Sequence, residues 1–588
     1  MKLLRLKIND EKGFRCLNQG FEIVFSPRPG NRIPDGFNPF VLAGPNGSGK
    51  SNLLELLAAI FYHIECQFLN FRPSSFELNE VENPVGFRAE IAIPDAFELE
   101  YLIPVPKEMN DFGSNELGHI FINKVPEKAS AIAWRNRELF SEEGNPELSN
   151  LEVKQLLPEF ILGYSSGENE TLSLPFFKMR FIHFDEYLEK LKNADQYGDA
   201  PEGRLSFLDN ELNQAILLCN FLFEDEKTLI PFREEVGIEG LEGFRIIVQH
   251  YQTLNPPGMA KAFPQSLVEE ESGIFLKKAS RVKLTHNLSI PPKPESFSEN
   301  GIQRTGEGIL DKLLKCTTCH FYDTETDSTI MDFFFSDATK EAFKFYFETS
   351  LKLFQGLQIL LTLNLYSVSE AQKKDLYQSS SLYVRETIPT LPSDERVIRF
   401  KDLVLQKKGV SGSVYLKSLS DGEHQFLHSL GLCLLFRNSN SLFLLDEPET
   451  HFNPDWRSKF ISRLRDCFKT ADPEKRQEIF ISTHSPFLIS DSKPEFVLVF
   501  NKTPGGKVEV TRPEYNTLGA SINKITMKSF DKRETIGGVA QHILQDLQTR
   551  LDKGEDKEDI LCEADRLLGD SVEKIFFIKT ILDRGENK

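Results

Sequence analysis

Gly44-Pro-Asn-Gly-Ser-Gly-Lys-Ser51 has the G-x-x-x-x-G-K-S spacing of a phosphate-binding (Walker A) loop. Glycines in such a loop let backbone N–H groups close on phosphate oxygens, and a helix that starts there adds its positive dipole end. Lys50 is then expected to reach the β- and γ-phosphates and the Ser51 hydroxyl to ligate magnesium. Gly44, Pro45, Asn46, Gly47, Ser48, Gly49 and Asn52 complete the expected nucleotide contacts. Such a loop needs an acidic partner. Ser441-Leu-Phe-Leu-Leu-Asp446-Glu447-Pro448 supplies one, an apolar run ending in two carboxylates. Asp446 is placed to hold magnesium, and Glu447 to orient or deprotonate the attacking water. Further on, Ile479-Phe-Ile-Ser-Thr-His484-Ser-Pro486 is another apolar run ending in polar residues. In a parallel sheet ligands sit outside the carboxyl ends of strands, so His484 would face the γ-phosphate.

These residues need strands and helices to hold them. Phe40-Val-Leu-Ala43 reads as the strand entering the phosphate loop, and Leu53, Leu56, Leu57, Ile60 and Phe61 as one apolar face of the helix leaving it. Leu4, Leu6 and Ile8 alternate with polar residues as a strand does, and Phe21 to Phe25 follows a turn. Glu90–Pro94 and Phe97–Ile103 are expected to form a hairpin about Asp95, and Asp337–Leu363 one amphipathic helix. A strand-rich block runs from Arg396 to Leu416, and alternating helices and strands carry the chain to Val499. The tail from about 515 reads as helical. Val539, Ile543, Leu547 and Leu551 form a stripe, and Asp570-Ser-Val-Glu573 has the spacing of a capping box. The expected division is an N-terminal lobe over 1–190, a mainly helical insertion over 191–390, a C-terminal lobe over 391–514 and a helical tail over 515–588.

The chain has 588 residues, 40% hydrophobic and 27% charged, the balance of a globular protein with several domain-sized units. Its 49 phenylalanines against 2 tryptophans point to Phe-packed interiors. A net charge of −19 argues against a chain-wide grip on DNA, although a local basic patch leaves nucleic acid open as a partner. No uninterrupted apolar run is long enough to span a membrane, and the N-terminus lacks a signal-peptide core. The 8 cysteines are mostly isolated in apolar contexts and do not read as a disulfide framework. A cytoplasmic protein without a membrane partner is the expectation.

The fourth motif sets the class. Ser418-Leu-Ser420-Asp421-Gly422-Glu423-His424-Gln425 opens an apolar helix ahead of Asp446 and resembles the signature of ABC-type ATPases, with Asp421 at its variable position. The order of the motifs is similar to that in ATPase heads of the RecF, SMC and OLD-nuclease group, and Asp446 to Pro454 resembles the Walker B extension of the OLD-like branch, with Asn453 where that branch often has His. The resemblance implies an α/β fold: an ABC-type P-loop head with a mixed sheet, flanking helices and an antiparallel β subdomain. It implies ATP and Mg2+ as cofactors and ATP hydrolysis as the activity. It also implies that Ser420, Gly422 and Glu423 contact the nucleotide held by a second copy, in an ATP-sandwiched dimer or higher oligomer. From the residues alone, Ser420 is equally a plain N-cap. Residues 52 to 419 separate the phosphate loop from Ser420, more than a compact transporter cassette needs, and no heptads support an SMC-like coiled coil there.

More narrowly, the N-terminal Met1–Asn9, Gly163–Glu170 and Leu568–Lys574 resemble restriction-associated ATPases of bacterial anti-phage systems, such as the PtuA ATPases of Septu. That likeness implies a switch controlling a separate effector, such as an HNH nuclease. The alternative is a DNA repair ATPase of RecF type. Cys316-Thr-Thr-Cys319-His320 matches a haem-attachment pattern, a chemistry of exported proteins, and a zinc site would need a second Cys or His pair close in sequence, so the match reads as coincidence. Lys277, Lys278, Arg281, Lys283 and His286 form the clearest basic cluster and read as a solvated strand face. No Toprim-sized segment follows His484 and no His-Asn-His nuclease cluster stands out, so catalysis is expected to be ATP hydrolysis, carried by Lys50, Glu447 and His484.

Overall fold

Apolar runs with few polar interruptions belong in strands buried on both faces, and such runs build the central sheet. A computed structural model describes residues 1–26, 37–142, 147–166, 171–192, 203–249, 309–326, 328–365, 367–530 and 536–583, with three short strands between 251 and 283. The central sheet has seven strands, in the order Val508–Thr511, Val497–Lys502, Phe40–Ala43, Glu478–Ser482, Ser441–Asp446, Phe160–Ser165 and Leu205–Phe207. All neighbours are parallel except the edge hairpin formed by the first two. Register brings the strand ends level: Asp446 stands opposite Ser482 on one side and Ser165 on the other.

The Lys50–Gln67 helix lies between this sheet and a five-stranded antiparallel sheet that includes Lys2–Ile8, Phe97–Pro104 and Leu117–Lys124. One apolar face was the expectation for this helix. The structure buries it nearly all round, with Leu54, Ala58 and Cys66 as enclosed as Leu53 and Leu57, because it is enclosed between two sheets and leaves only Ser51, Asn52, Ala59, Tyr62 and Gln67 half-buried. Phe97–Pro104 pairs with Leu117–Lys124 and not with Glu90–Pro94. Residues 90–95 form irregular chain, held by the buried Lys124 ammonium through the carbonyls of Glu90 and Asp95 and the Asp95 carboxylate at 2.7 Å.

The other face of the central sheet carries the second large core. Here the Asp421–Leu435 helix packs with the Asn210–Phe223 and Ser350–Thr362 helices and with a second antiparallel sheet, ordered Cys319–Asp323, Ser328–Phe334, Ile238–Gln249, Ile398–Lys407 and Val414–Tyr415. Helix predominates among the described residues of 191–390, and the segment shares one continuous core with the Ser441–Asp446 strand, through Phe443 and Leu445. Asp337–Leu363 is not one helix. It breaks at Glu348, φ +62°, and restarts with Thr349 accepting from the Lys352 N–H. The tail is helical, and its Gly538–Asp552, Lys557–Leu567 and Val572–Asp583 helices form a small core of their own around Leu547, Leu551, Ile560 and Phe577. Its last helix is capped by Ser571, which accepts from Lys574 N–H, and not by the Asp570–Glu573 spacing. The fold is the α/β P-loop head with an antiparallel β subdomain and helical tail.

Candidate nucleotide site

The phosphate loop leaves the Phe40–Ala43 strand at Gly44, whose φ is +142° and whose added Cβ would stand 2.3 Å from the Phe500 carbonyl oxygen. It enters the Lys50–Gln67 helix at Gly49, φ +104°. Both backbone positions strain an L side chain, so glycine spacing here is a geometric requirement. The helix starts without a side-chain cap and without an acidic residue in its first turn. Its first N–H groups therefore remain available to an anion. Ser48 Oγ is buried in the loop with no hydrogen-bond partner among the described residues. An orphaned hydroxyl and an uncapped helix end fit a phosphate.

Lys50 is 5% exposed and donates to the carbonyls of Gly44 (3.0 Å) and Pro45 (3.1 Å) and to His484 Nε2 (3.0 Å). Burial pulls its ammonium down to about 8. The same lysine and burial, burial foremost, hold His484 down at about 4, so its imidazole is neutral and Nε2 accepts. That nitrogen also lies 3.4 Å from Glu447 Oε1. Ser51 Oγ donates to Asp446 Oδ1 at 2.8 Å, and Ser482 Oγ donates to the same oxygen. Asp446 is fully buried, which raises its carboxyl above the usual range. A hydroxyl and a carboxylate side by side are a hard-oxygen donor pair suited to Mg2+.

Glu447 sits at φ +48°, a left-handed conformation that costs a side-chain residue about 1 kcal/mol or more. The Walker B turn holds it there. Its N–H donates to the Ser482 carbonyl (3.1 Å), Gln425 Nε2 reaches its carbonyl (3.4 Å), and Thr450 Oγ1 donates to its carbonyl (3.0 Å) and carboxylate (3.2 Å). Glu449 is buried beneath this turn, accepts from Thr483 Oγ1, and is pushed up to about 7 by burial. Thus Lys50, Ser51, Asp446, Glu447 and His484 meet at the ends of three neighbouring strands. Ser482, Thr483, Glu449 and Gln425 were not expected from sequence. Their signal was adjacency: Ser482-Thr483 precedes His484, and Glu449 follows Glu447-Pro448.

Ser420, Gly422 and Glu423 lie at a separate helix end. Ser420 caps the Asp421–Leu435 helix in a full capping box, with Ser420 N–H and Oγ both donating to Glu423 Oε2, at 2.8 and 3.0 Å. Lys407 pairs with Glu423, and hydrogen bonds hold that carboxylate below its usual range despite the opposing effect of burial. Gly422 has an in-chain reason to lack Cβ, since the atom would stand 2.8 Å from the His451 carbonyl oxygen. Asn52 accepts from Cys16 Sγ at 2.9 Å, and Asn453 caps the Pro454–Phe468 helix by accepting from Trp456 N–H. The Phe160–Ser165 strand ends beside Asp446, with Ser166 N–H donating to the Asp446 carbonyl (3.1 Å). Gly167–Glu170, Lys277, Lys278, His286 and the proline-rich 289–294 lie outside the described residues. Cys316 is buried at a helix end while Cys319 and His320 are exposed on the next strand. Among the described residues no helix is long and apolar enough to cross a membrane.

Residues 314–490 match the family described as "AAA domain, putative AbiEii toxin, Type IV TA system". That span holds the capping box, the Asp446–Glu447 turn and His484, and leaves out the phosphate loop. Among solved structures, a crystal structure of the SmcHead bound to the C-winged helix domain of ScpA aligns at a TM-score of 0.31 and 11% identity, over 87% of this chain and 97% of that chain. The family match and the site geometry agree on a nucleotide-binding domain of the P-loop ATPase type.

Proposed function

We propose that the chain binds and hydrolyses ATP, and that two copies close on nucleotide to act as a switch. The observation that carries this reading is the convergence of Lys50, Ser51, Asp446, Glu447 and His484 around an uncapped helix end. Lys50 exchanges the Gly44 and Pro45 carbonyls for phosphate oxygens. Ser51 and Asp446 hold Mg2+, which when bound neutralises charge on the phosphates. Glu447, fixed by its strained turn, orients a water and takes its proton, with His484 neutral beside it. Ser420, Gly422 and Glu423 face the nucleotide of the second copy. For that, Glu423 must swing off the helix end it now caps.

In the cell we read this switch as one that commands a separate effector, a nuclease, in anti-phage defence. The resemblance to restriction-associated ATPases supports this, and the family description, which names a toxin of a toxin–antitoxin system, fits a conditional response better than repair. The test is ATP turnover by the full chain with Mg2+. Glu447→Gln should bind ATP yet lose roughly 10²- to 10⁴-fold in kcat, the usual contribution of a general base. Wild-type turnover by Glu447→Gln would overturn the assignment.

A further inference from the structure

Past Glu55, the Lys50–Gln67 helix lines something other than the nucleotide site. Ala59, Tyr62 and His63 form one wall of a cavity of about 510 Å³. The loop around Phe76 and Phe87, Lys178 and the Tyr377–Ser380 segment close the other sides. This volume is that of a small-molecule site. The walls are aromatic: Phe76 and Phe87 stack at 5.0 Å, and Tyr377 stands edge-on to Phe76 at 5.1 Å. The mouth is apolar and open, with Val85, Ile91 and Ile93 each about 60% exposed. Apolar residues clustered this way around a cavity mark a binding surface.

The polar groups inside are few. The His63 ring is bonded to the Ala89 backbone, and its Nε2 is buried with no hydrogen-bond partner among the described residues. Lys178 Nζ donates to the carbonyls of Tyr377 (3.0 Å) and Ser379 (2.6 Å), and an ammonium carries three donors. Burial lowers Lys178 only to about 8, so it is mostly charged at pH 7. In a chain of net charge −19, the lining carries Arg15, Arg88 and Lys178 against Glu55 alone, and Arg15 grips Glu55 at 2.7 Å. Aromatic walls with excess positive charge fit an aromatic anion.

We propose that this cavity binds an aromatic ligand of two or three rings bearing an acidic group, its rings among Tyr62, Phe76 and Phe87 and its acid toward Lys178. The cavity opens from the middle of the helix, with Arg15 and Glu55 at its near edge one turn beyond the phosphate loop. Two dyes test it on the full chain: 1-anilinonaphthalene-8-sulfonate, and N-phenyl-1-naphthylamine, which has the same rings and no sulfonate. The sulfonate should bind saturably, one per chain, and at least several-fold more tightly than the neutral dye. Lys178→Met should erase that preference, and Ala59→Phe should remove binding of both dyes. Val85→Glu, at the exposed mouth where folding is not at stake, should weaken the sulfonate and spare the neutral dye. A non-hydrolysable ATP analogue at saturation should leave the titration unchanged. Equal affinity for the two dyes, indifference to Val85→Glu, no saturable binding, or displacement by the ATP analogue would each overturn the proposal.

Discussion

Two helix N-termini in this molecule begin after a serine- or glycine-bearing turn and are treated in opposite ways. The Lys50–Gln67 helix starts bare, with no cap and no acid in its first turn, in front of a buried lysine. The Asp421–Leu435 helix starts with Asp421 and Glu423 in its first turn and a reciprocal Ser420–Glu423 box. A helix end left unanswered by its own chain is an anion site, and one already answered by two carboxylates is a stable terminus. The signature end can therefore serve a second copy's nucleotide only at the expense of its own cap.

The contrast is broken most severely at Lys50. Lys50→Ala should lower ATP affinity by about 100-fold or more, since a charge-assisted contact to phosphate is lost from a buried site, whereas Ser420→Ala should leave binding by isolated chains unchanged; titration calorimetry checks both. Next in size is Gly422→Ala, whose methyl meets the His451 carbonyl at 2.8 Å without any nucleotide. Overpacking of this kind costs about 1–3 kcal/mol, read by urea unfolding of the nucleotide-free chain. His428, buried inside the signature helix, is held down at about 3 by burial and by His424. The unfolded chain takes up a proton near pH 6.5 that the folded chain refuses, so stability falls as pH drops from 6.5 toward 3. At pH 5 the loss from this one group is about 2 kcal/mol, and His428→Leu should show a smaller drop in Tm between pH 7 and 5 than wild type. The smallest effect sharpens the comparison. Glu423→Gln should cost about 1 kcal/mol or less of cap stability yet raise ATP turnover, because it withdraws a negative charge from where a γ-phosphate must arrive. A loss of Tm with no gain in turnover would mean that the box is a cap alone.

Motifs defined by local backbone geometry were legible in the sequence. Gly44 and Gly49 take conformations that glycine alone adopts freely, and Asp446 ends a run whose six residues are all buried. What depended on long-range partners was not. The strand that pairs with Phe97–Pro104 lies beyond a loop, at Leu117–Lys124, and its own alternation of buried and half-buried residues was the available clue. The helix after the phosphate loop showed one apolar face by spacing, yet Leu54 and Ala58, off that face, are fully buried in the core shared with the first antiparallel sheet. The interruption at Glu348 hides within a continuous amphipathic pattern, because Thr349 restarts the helix two residues after Phe347 ends the first. Gly422 is the instructive residue: its sequence context suggests close approach by a second copy's nucleotide, but close approach by its own chain at His451 is already sufficient reason for glycine there.

The central claim is that the bare helix end of one copy and the capped end of another complete one site. Mixing two variants measures it directly. Lys50→Ala disables the first end, and Ser420→Arg places a bulky cation at the exposed second end while sparing the phosphate loop. Each variant alone should be inactive. A mixture whose subunit exchange is verified by energy transfer between labelled copies should recover ATP turnover, from mixed dimers that retain one intact composite site. No recovery at any ratio, with exchange demonstrated, would contradict the account and place the whole catalytic site within a single chain.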